Sequence, residues 1–204
     1  MRLTIPNQLT ILRIILTPVF IYLMLQNDAM KQLLGSIVFT IASLTDWYDG
    51  WYARKFGVIT RLGQFMDPLA DKILVTSALF VIAALGFTYF WMVWVITIRD
   101  AVITINRIFA LQVGKPIITH VLAKWKTMLQ MVTIFMILIY INILNLIGAG
   151  ANSYELSYWD PIGISMLIVT LITVLSGVFY IIENRELLVN MLRKIVRLQD
   201  KIGR

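Results

Sequence analysis

The chain has 204 residues, 59% hydrophobic and 14% charged, with mean hydropathy +0.82 and net charge +7. Soluble domains carry about a quarter of their residues as charges, so the composition excludes a soluble domain and predicts a single polytopic membrane unit over residues 1–204. Cysteine is absent, which removes any disulfide framework or thiolate site.

The opening MRLTIPNQLTILR runs into an apolar stretch long enough to stay as a first span, from about Leu9 to Gln26, with no cleaved signal peptide expected. Residues 1–8 form a short N-terminal arm or interfacial helix, where Pro6 suits a first turn and Thr4 a cap. Arg13 either snorkels to the headgroups or turns inward toward a phosphate. After a polar turn, the second span, about Leu33 to Tyr52, ends with Asp46 and Asp49. Arg54, Lys55, Gly57 and Arg61 make a basic connection to a third span, about Leu62 to Leu85, that opens with Gly63, Asp67 and Asp71.

The fourth span, about Phe90 to Val113, is apolar until Arg99 and Asp100, and then carries Asn106 and Arg107. Gly114-Lys115-Pro116 interrupts the helix. The fifth, about Ile118 to Ile147, bears His120, Lys124 and Lys126 in its early turns, and the sixth covers about Pro161 to Ile182. In the tail, residues 183–204, Leu187, Leu188, Met191, Leu192, Ile195 and Val196 share a stripe, with Arg193, Lys194, Arg197 and Lys201 elsewhere. That is a basic amphipathic helix for an anionic lipid surface, or a helix packed in a dimer.

The expected fold is therefore an all-α integral membrane protein of six transmembrane helices. A cytoplasmic N-terminus puts Arg2, Arg13, Arg54, Lys55, Arg61, Lys115, Lys124, Lys126 and the tail on one side, and only Lys31 on the other. Positive charge gathers on the cytoplasmic side, so a multi-pass cell-membrane protein with both termini cytoplasmic is expected. Hydrocarbon-length segments separate the basic residues, which favours anionic headgroups and phosphorylated substrates over nucleic acid.

The chemistry centres on residues 46–71, DWYDGWYARKFGVITRLGQFMDPLAD. Asp46 and Asp49 lie one turn apart with Gly50 and Ala53 on the same helical face, and Asp67 and Asp71 share a face of the next helix. If the two helices pack side by side, four carboxylates converge. Near hydrocarbon such a cluster is unfavourable unless cations occupy it. Oxygen ligands suit Mg2+ or Mn2+, and two pairs suggest a binuclear site.

The pattern Asp-x2-Asp-Gly-x2-Ala-Arg-x8-Gly-x3-Asp-x3-Asp is filled by Asp46, Asp49, Gly50, Ala53, Arg54, Gly63, Asp67 and Asp71. It resembles the signature of the CDP-alcohol phosphatidyltransferase family. The strings IPNQLTILRIILTPVF, TDWYDGWYARK, TRLGQFMDPLADK and LAKWKT look like the branch that makes phosphatidylglycerophosphate. That branch usually shows Arg-Glu where this chain has Arg99-Asp100, and a glycine where it has Ala123.

The resemblance implies transfer of a phosphatidyl group from CDP-diacylglycerol to sn-glycerol 3-phosphate with release of CMP, by a six-helix homodimer using two Mg2+ or Mn2+ per active site. It makes Asp46, Asp49, Asp67 and Asp71 metal ligands. Asp71 is also the choice for general base. Asn7, Thr10, Arg13, Asp49, Gly50, Ala53, Arg54 and Gly63 would line the CDP-diacylglycerol side, the glycines admitting phosphates close to the helices. Arg61, Arg99, Arg107, Lys124 and Lys126 are the cations available for the acceptor's phosphate. Arg99 has an alternative as a scaffold partner of Asp100.

His120 reads as a packing or surface residue, and the Trp and Tyr residues at 47, 48, 51, 52, 89, 91 and 94 read as interfacial anchors. Competing readings are the same transfer to inositol, serine or phosphatidylglycerol, a divalent-cation transporter, and a membrane scaffold. The cytoplasmic depth of the acids counts against transport, whose sites lie near the midplane.

Overall fold

The structure is a computed structural model that describes residues 5–56, 61–113 and 121–185. Side chains are described for these except at 5–7, 53–54, 61–68, 107–113, 121–123 and 152. The described chain is helical throughout: α1 (Ile5–Met24), α2 (Ala29–Phe56), α3 (Arg61–Ala84), α4 (Phe90–Val113), α5 (Val121–Leu146) and α6 (Pro161–Glu183). One 3-10 turn, Ala151–Ser153, sits in the α5–α6 connection. The expected amphipathic tail beyond residue 185, Thr4, Lys115 and His120 lie outside the described residues.

Local chemistry sets the helix ends. The Asp28 carboxylate accepts from the backbone N–H groups of Met30 (2.8 Å) and Lys31 (3.1 Å), capping α2. Asp160 does the same for α6 through Gly163 at 2.8 Å, with Pro161 in the first turn, where a missing N–H costs nothing. Helix α3 unwinds at Gly86, whose φ of +83° is the left-handed turn that closes helix C-termini. Helix α1 starts at Ile5, ahead of the expected Leu9, because Pro6 falls in its first turn. Helix α2 continues past Tyr52 to Phe56, while α4 has its expected bounds.

Helix α1 runs along both α2 and α3, which also touch each other. Along α1, Thr10, Arg13, Thr17, Phe20 and Met24 are buried at spacings of three and four residues, the stripe of a helix facing a core. Helix α4 packs on α3 and α6, and α5 on α2 and α6. Phe39 of α2 ties the middle together, with its ring 5.3 Å from Phe20 of α1 and 5.4 Å from Phe135 of α5.

Outward faces are apolar: Ile98, Val102 and Ile105 on α4, and Ile164, Ile168 and Leu171 on α6, are all exposed. A monomer in water rarely tolerates so much exposed hydrocarbon. Among the described residues, Lys124–Leu146 and Pro161–Glu183 are long and apolar enough to cross a membrane. Helices α3 and α4 are broken as apolar runs by Asp71-Lys72 and Arg99-Asp100. The architecture is all-helical and suits a bilayer.

In lipid, apolar burial gives little net drive for helix association, so polar links between helices matter more. At the α1–α2 turn end, Asn145 of α5 donates to Gln32 of α2 at 2.7 Å, and Asn142 donates to Ser36 at 2.9 Å. The nearby α5–α6 connection is pinned by Tyr154, whose ring stacks on Phe87 at 4.7 Å and whose hydroxyl bonds Asp160. Burial, and then that bond, push the Tyr154 hydroxyl well above its ordinary range. Tyr89 stacks on Tyr158 at 4.0 Å, so it is held in this connection instead of standing free as an anchor. Trp47, Tyr48, Trp51, Trp91 and Trp94 are exposed.

Candidate active site

The opposite end of the bundle carries two clusters of charge. The first joins α1 to α2. Arg13 is fully buried, with Nη1 2.5 Å from Asp46 and Nη2 2.7 Å from Asp49. It neither snorkels nor stands open toward a phosphate, since an arginine this deep needs carboxylate partners. The two aspartates converge because they are one helical turn apart. Asp49 is buried, whereas the Asp46 side chain is 41% exposed. Thr10, also buried, lies one turn before Arg13.

The second cluster joins α3, α4, α5 and α6. Asp100, buried on α4, receives Lys126 of α5 at 2.5 Å and Lys72 of α3 at 3.4 Å on one oxygen, and Arg99 at 3.0 Å on the other. Arg99 also donates to Ser176 of α6 at 2.9 Å. Gly177 leaves room for its stem, since a Cβ there would meet Arg99 Cγ at 3.3 Å. Lys126 is fully buried, a cost that its bond to Asp100 offsets.

Beside the second cluster stands Asp71, half-buried on α3, with an oxygen 3.8 Å from Lys72 Nζ. Lys72 therefore touches both Asp71 and Asp100.

Of the residues singled out from the sequence, this arrangement brings Arg13, Asp46 and Asp49 together, and Arg99 with Lys126. The scaffold alternative for Arg99 matches its bonds. Lys124 is exposed and stands outside the second cluster. Positions i and i+2 on a helix are about 200° apart, so Lys124 and Lys126 cannot face the same way. Gly50 is half-buried on α2. Asn7, Ala53, Arg54, Arg61, Gly63, Asp67 and Arg107 lie on described helices, but their side chains fall outside the described set.

Sequence reasoning missed Lys72 and Ser176. The signal for Lys72 was its place beside Asp71, at the depth of Asp100 and Lys126. Ser176 carried no signal, because a serine inside an apolar span reads as filler.

A divalent cation fits the first cluster on donor chemistry. Arg13 itself fills the position between Asp46 Oδ1 and Asp49 Oδ2, so a metal ion would be held through the second oxygen of each carboxylate. The donors are hard oxygens, suited to Mg2+ or Mn2+. No cage of three or more acidic or histidine side chains forms among the described residues.

The family model of CDP-alcohol phosphatidyltransferase matches residues 3–154. The chain is 34% identical over 196 residues to a Bacillus subtilis (strain 168) protein named CDP-diacylglycerol–glycerol-3-phosphate 3-phosphatidyltransferase, covering 90% of this chain and 96% of that one. Proteins of the same name from Wigglesworthia glossinidia brevipalpis and Rickettsia bellii (strain RML369-C) are similar too. The first is 38% identical over 143 residues, covering 68% of this chain and 78% of that one. The second is 31% identical over 177 residues, covering 86% and 92%. With its motif filled and three-quarters of its length matched, the chain belongs to the CDP-alcohol phosphatidyltransferase family.

Proposed function

We propose that the chain transfers the phosphatidyl group of CDP-diacylglycerol to sn-glycerol 3-phosphate, giving phosphatidylglycerophosphate and CMP. The observation that carries this reading is a pair of buried charge clusters at one end of the bundle. One sets Asp46 and Asp49 against Arg13, and the other gathers Lys72, Lys126 and Arg99 around Asp100. Carboxylate oxygens suit cations that accompany a diphosphate, and gathered cations suit a phosphorylated acceptor. The names of the relatives agree with this choice of donor and acceptor.

In the proposed reaction the primary hydroxyl of the acceptor attacks the phosphorus that bears diacylglycerol. The new P–O bond forms as the bond to CMP breaks, and the hydroxyl proton passes to Asp71. Asp46, Asp49, Asp67 and Asp71 would hold two Mg2+ or Mn2+, which when bound neutralise the charge of the diphosphate. Arg13 orients Asp46 and Asp49. Thr10, Asn7, Gly50, Ala53, Arg54 and Gly63 form the CDP-diacylglycerol side, and Arg61, Arg99, Arg107, Lys124 and Lys126 are the candidates for the acceptor side.

The fold is proposed as six membrane spans with both termini cytoplasmic, because that topology leaves only Lys31 on the far side. The basic tail lies on anionic lipid, and the working unit is a homodimer.

Purified protein supplied with labelled CDP-diacylglycerol, Mn2+ and a panel of alcohols tests the reading. CMP release and lipid product are expected with glycerol 3-phosphate. Product formed only with inositol or serine would replace the acceptor. A chiral-phosphate substrate is expected to react with inversion, and retention would replace direct attack by a covalent intermediate.

A further inference from the structure

Among the described residues, Asp100 faces three cations, with Asp71 as a second carboxylate beside Lys72. Lys126, Lys72 and Arg99 all lie within 3.4 Å of its two oxygens, and Asp100 is itself 4% exposed. The three cations are not equivalent. Lys126 is fully buried and 2.5 Å from Asp100, the most tightly held of the three. Arg99 is tied to Asp100 and Ser176, and its Nε is buried without a hydrogen-bond partner among the described residues. Lys72 is loosely held, at 3.4 Å from Asp100 and 3.8 Å from Asp71, and its side chain is 24% exposed. An ammonium on a four-carbon stem can shift to a new anion without dismantling the Asp100–Lys126 bond.

We propose that Lys72 is a specificity-determining residue that contacts the acceptor's phosphate, and that Asp100 is the positioning residue that holds Lys72 and Lys126 in place for it. The inference rests on the transferase reading. Three cations against Asp100 and Asp71 leave one positive charge in this cluster among the described residues, and a phosphate monoester, at about −1.5 to −2 charges near neutral pH, is an anion that Lys72 can take. Lys72 follows Asp71 directly in sequence and reaches it in space. The group that takes the hydroxyl proton and the group that grips the phosphate thus stand next to each other, as suits a substrate whose two ends are separated by three carbons. An acceptor without a phosphate would leave Lys72 where it is, between two carboxylates.

The test is steady-state kinetics on the full-length protein with saturating CDP-diacylglycerol and Mn2+, varying glycerol 3-phosphate, with inorganic phosphate as competing probe. Lys72→Gln is expected to raise the KM for glycerol 3-phosphate about ten- to hundredfold. It should weaken inhibition by inorganic phosphate similarly, with the KM for CDP-diacylglycerol unchanged. Lys72→Arg is expected to recover most of the affinity. Asp100→Asn should raise the same KM, and Asp100→Glu should restore it, a split that a merely structural role would not give.

An unchanged KM and unchanged phosphate inhibition in Lys72→Gln overturn the assignment. So does a fall in kcat alone, which would make Lys72 a partner of Asp71 only. Equal loss in Asp100→Asn and Asp100→Glu overturns the positioning role. Wild-type protein that releases no CMP with any alcohol of the panel overturns the transferase reading itself, and release only with an unphosphorylated alcohol replaces the acceptor; either result removes this inference.

Discussion

Both charge clusters set acids against bases at the same end of the bundle, yet they centre on opposite charges. Between α1 and α2, one guanidinium serves two carboxylates; among α3 to α6, one carboxylate serves three cations. Each contains a fully buried cation, Arg13 or Lys126, that fixes the geometry. Each also contains a more exposed partner, Asp46 or Lys72, that faces outward. An interior that opposes unpaired charge makes such buried clusters informative.

The comparison can be broken at several points. The largest effect is expected from Asp71→Asn beside the second cluster, where loss of the proposed general base should slow transfer about 10²–10⁴-fold. CMP release measures it, with circular dichroism unchanged, and a fully active variant would remove Asp71 from the mechanism. Next comes Arg13→Ala, which leaves the buried Asp49 without its guanidinium. Breaking a buried pair costs about 3–5 kcal/mol, readable as a lower Tm in detergent, and added Mn2+ should restore part of it.

Gly177→Leu crowds Arg99 in the second cluster, with overpacking of about 1–3 kcal/mol. It should raise the KM for glycerol 3-phosphate more than that for CDP-diacylglycerol. The smallest effect belongs to Asn142→Ala at the far end of the bundle. Loss of its bond to Ser36 should lower stability by about 0.6–1.7 kcal/mol and leave turnover as in the parent. A large fall in turnover there would show that the two ends are coupled.

Much of this was legible in the sequence. The bounds of α4, the near-match of α3, α5 and α6, and the shared face of Asp46 and Asp49 follow from apolar run length and helical spacing. So does the separation of Lys124 from Lys126, once 100° per residue is applied to both.

Other parts were not legible. That α1 lies against both α2 and α3 depends on tertiary packing, which a periodicity count does not reach. Arg13 could be assigned inward or outward by its depth alone, and only the arrival of α2 decides it. Lys72 looked like the end of a motif because its partner Asp100 is 28 residues away on another helix.

The Arg13–Asp49 contact spans 36 residues of sequence, and this has a consequence for how the protein is made. A ribosome adds about 5–20 residues per second, so roughly two to seven seconds separate the synthesis of the arginine from that of its partner. For that interval α1 carries a charge with no counter-ion on its own helix. It is therefore expected to wait near the headgroups and enter the bilayer together with α2 as a hairpin. A nascent chain arrested before Asp46 should leave α1 extractable by alkaline carbonate, and one arrested well beyond α2 should hold it fast.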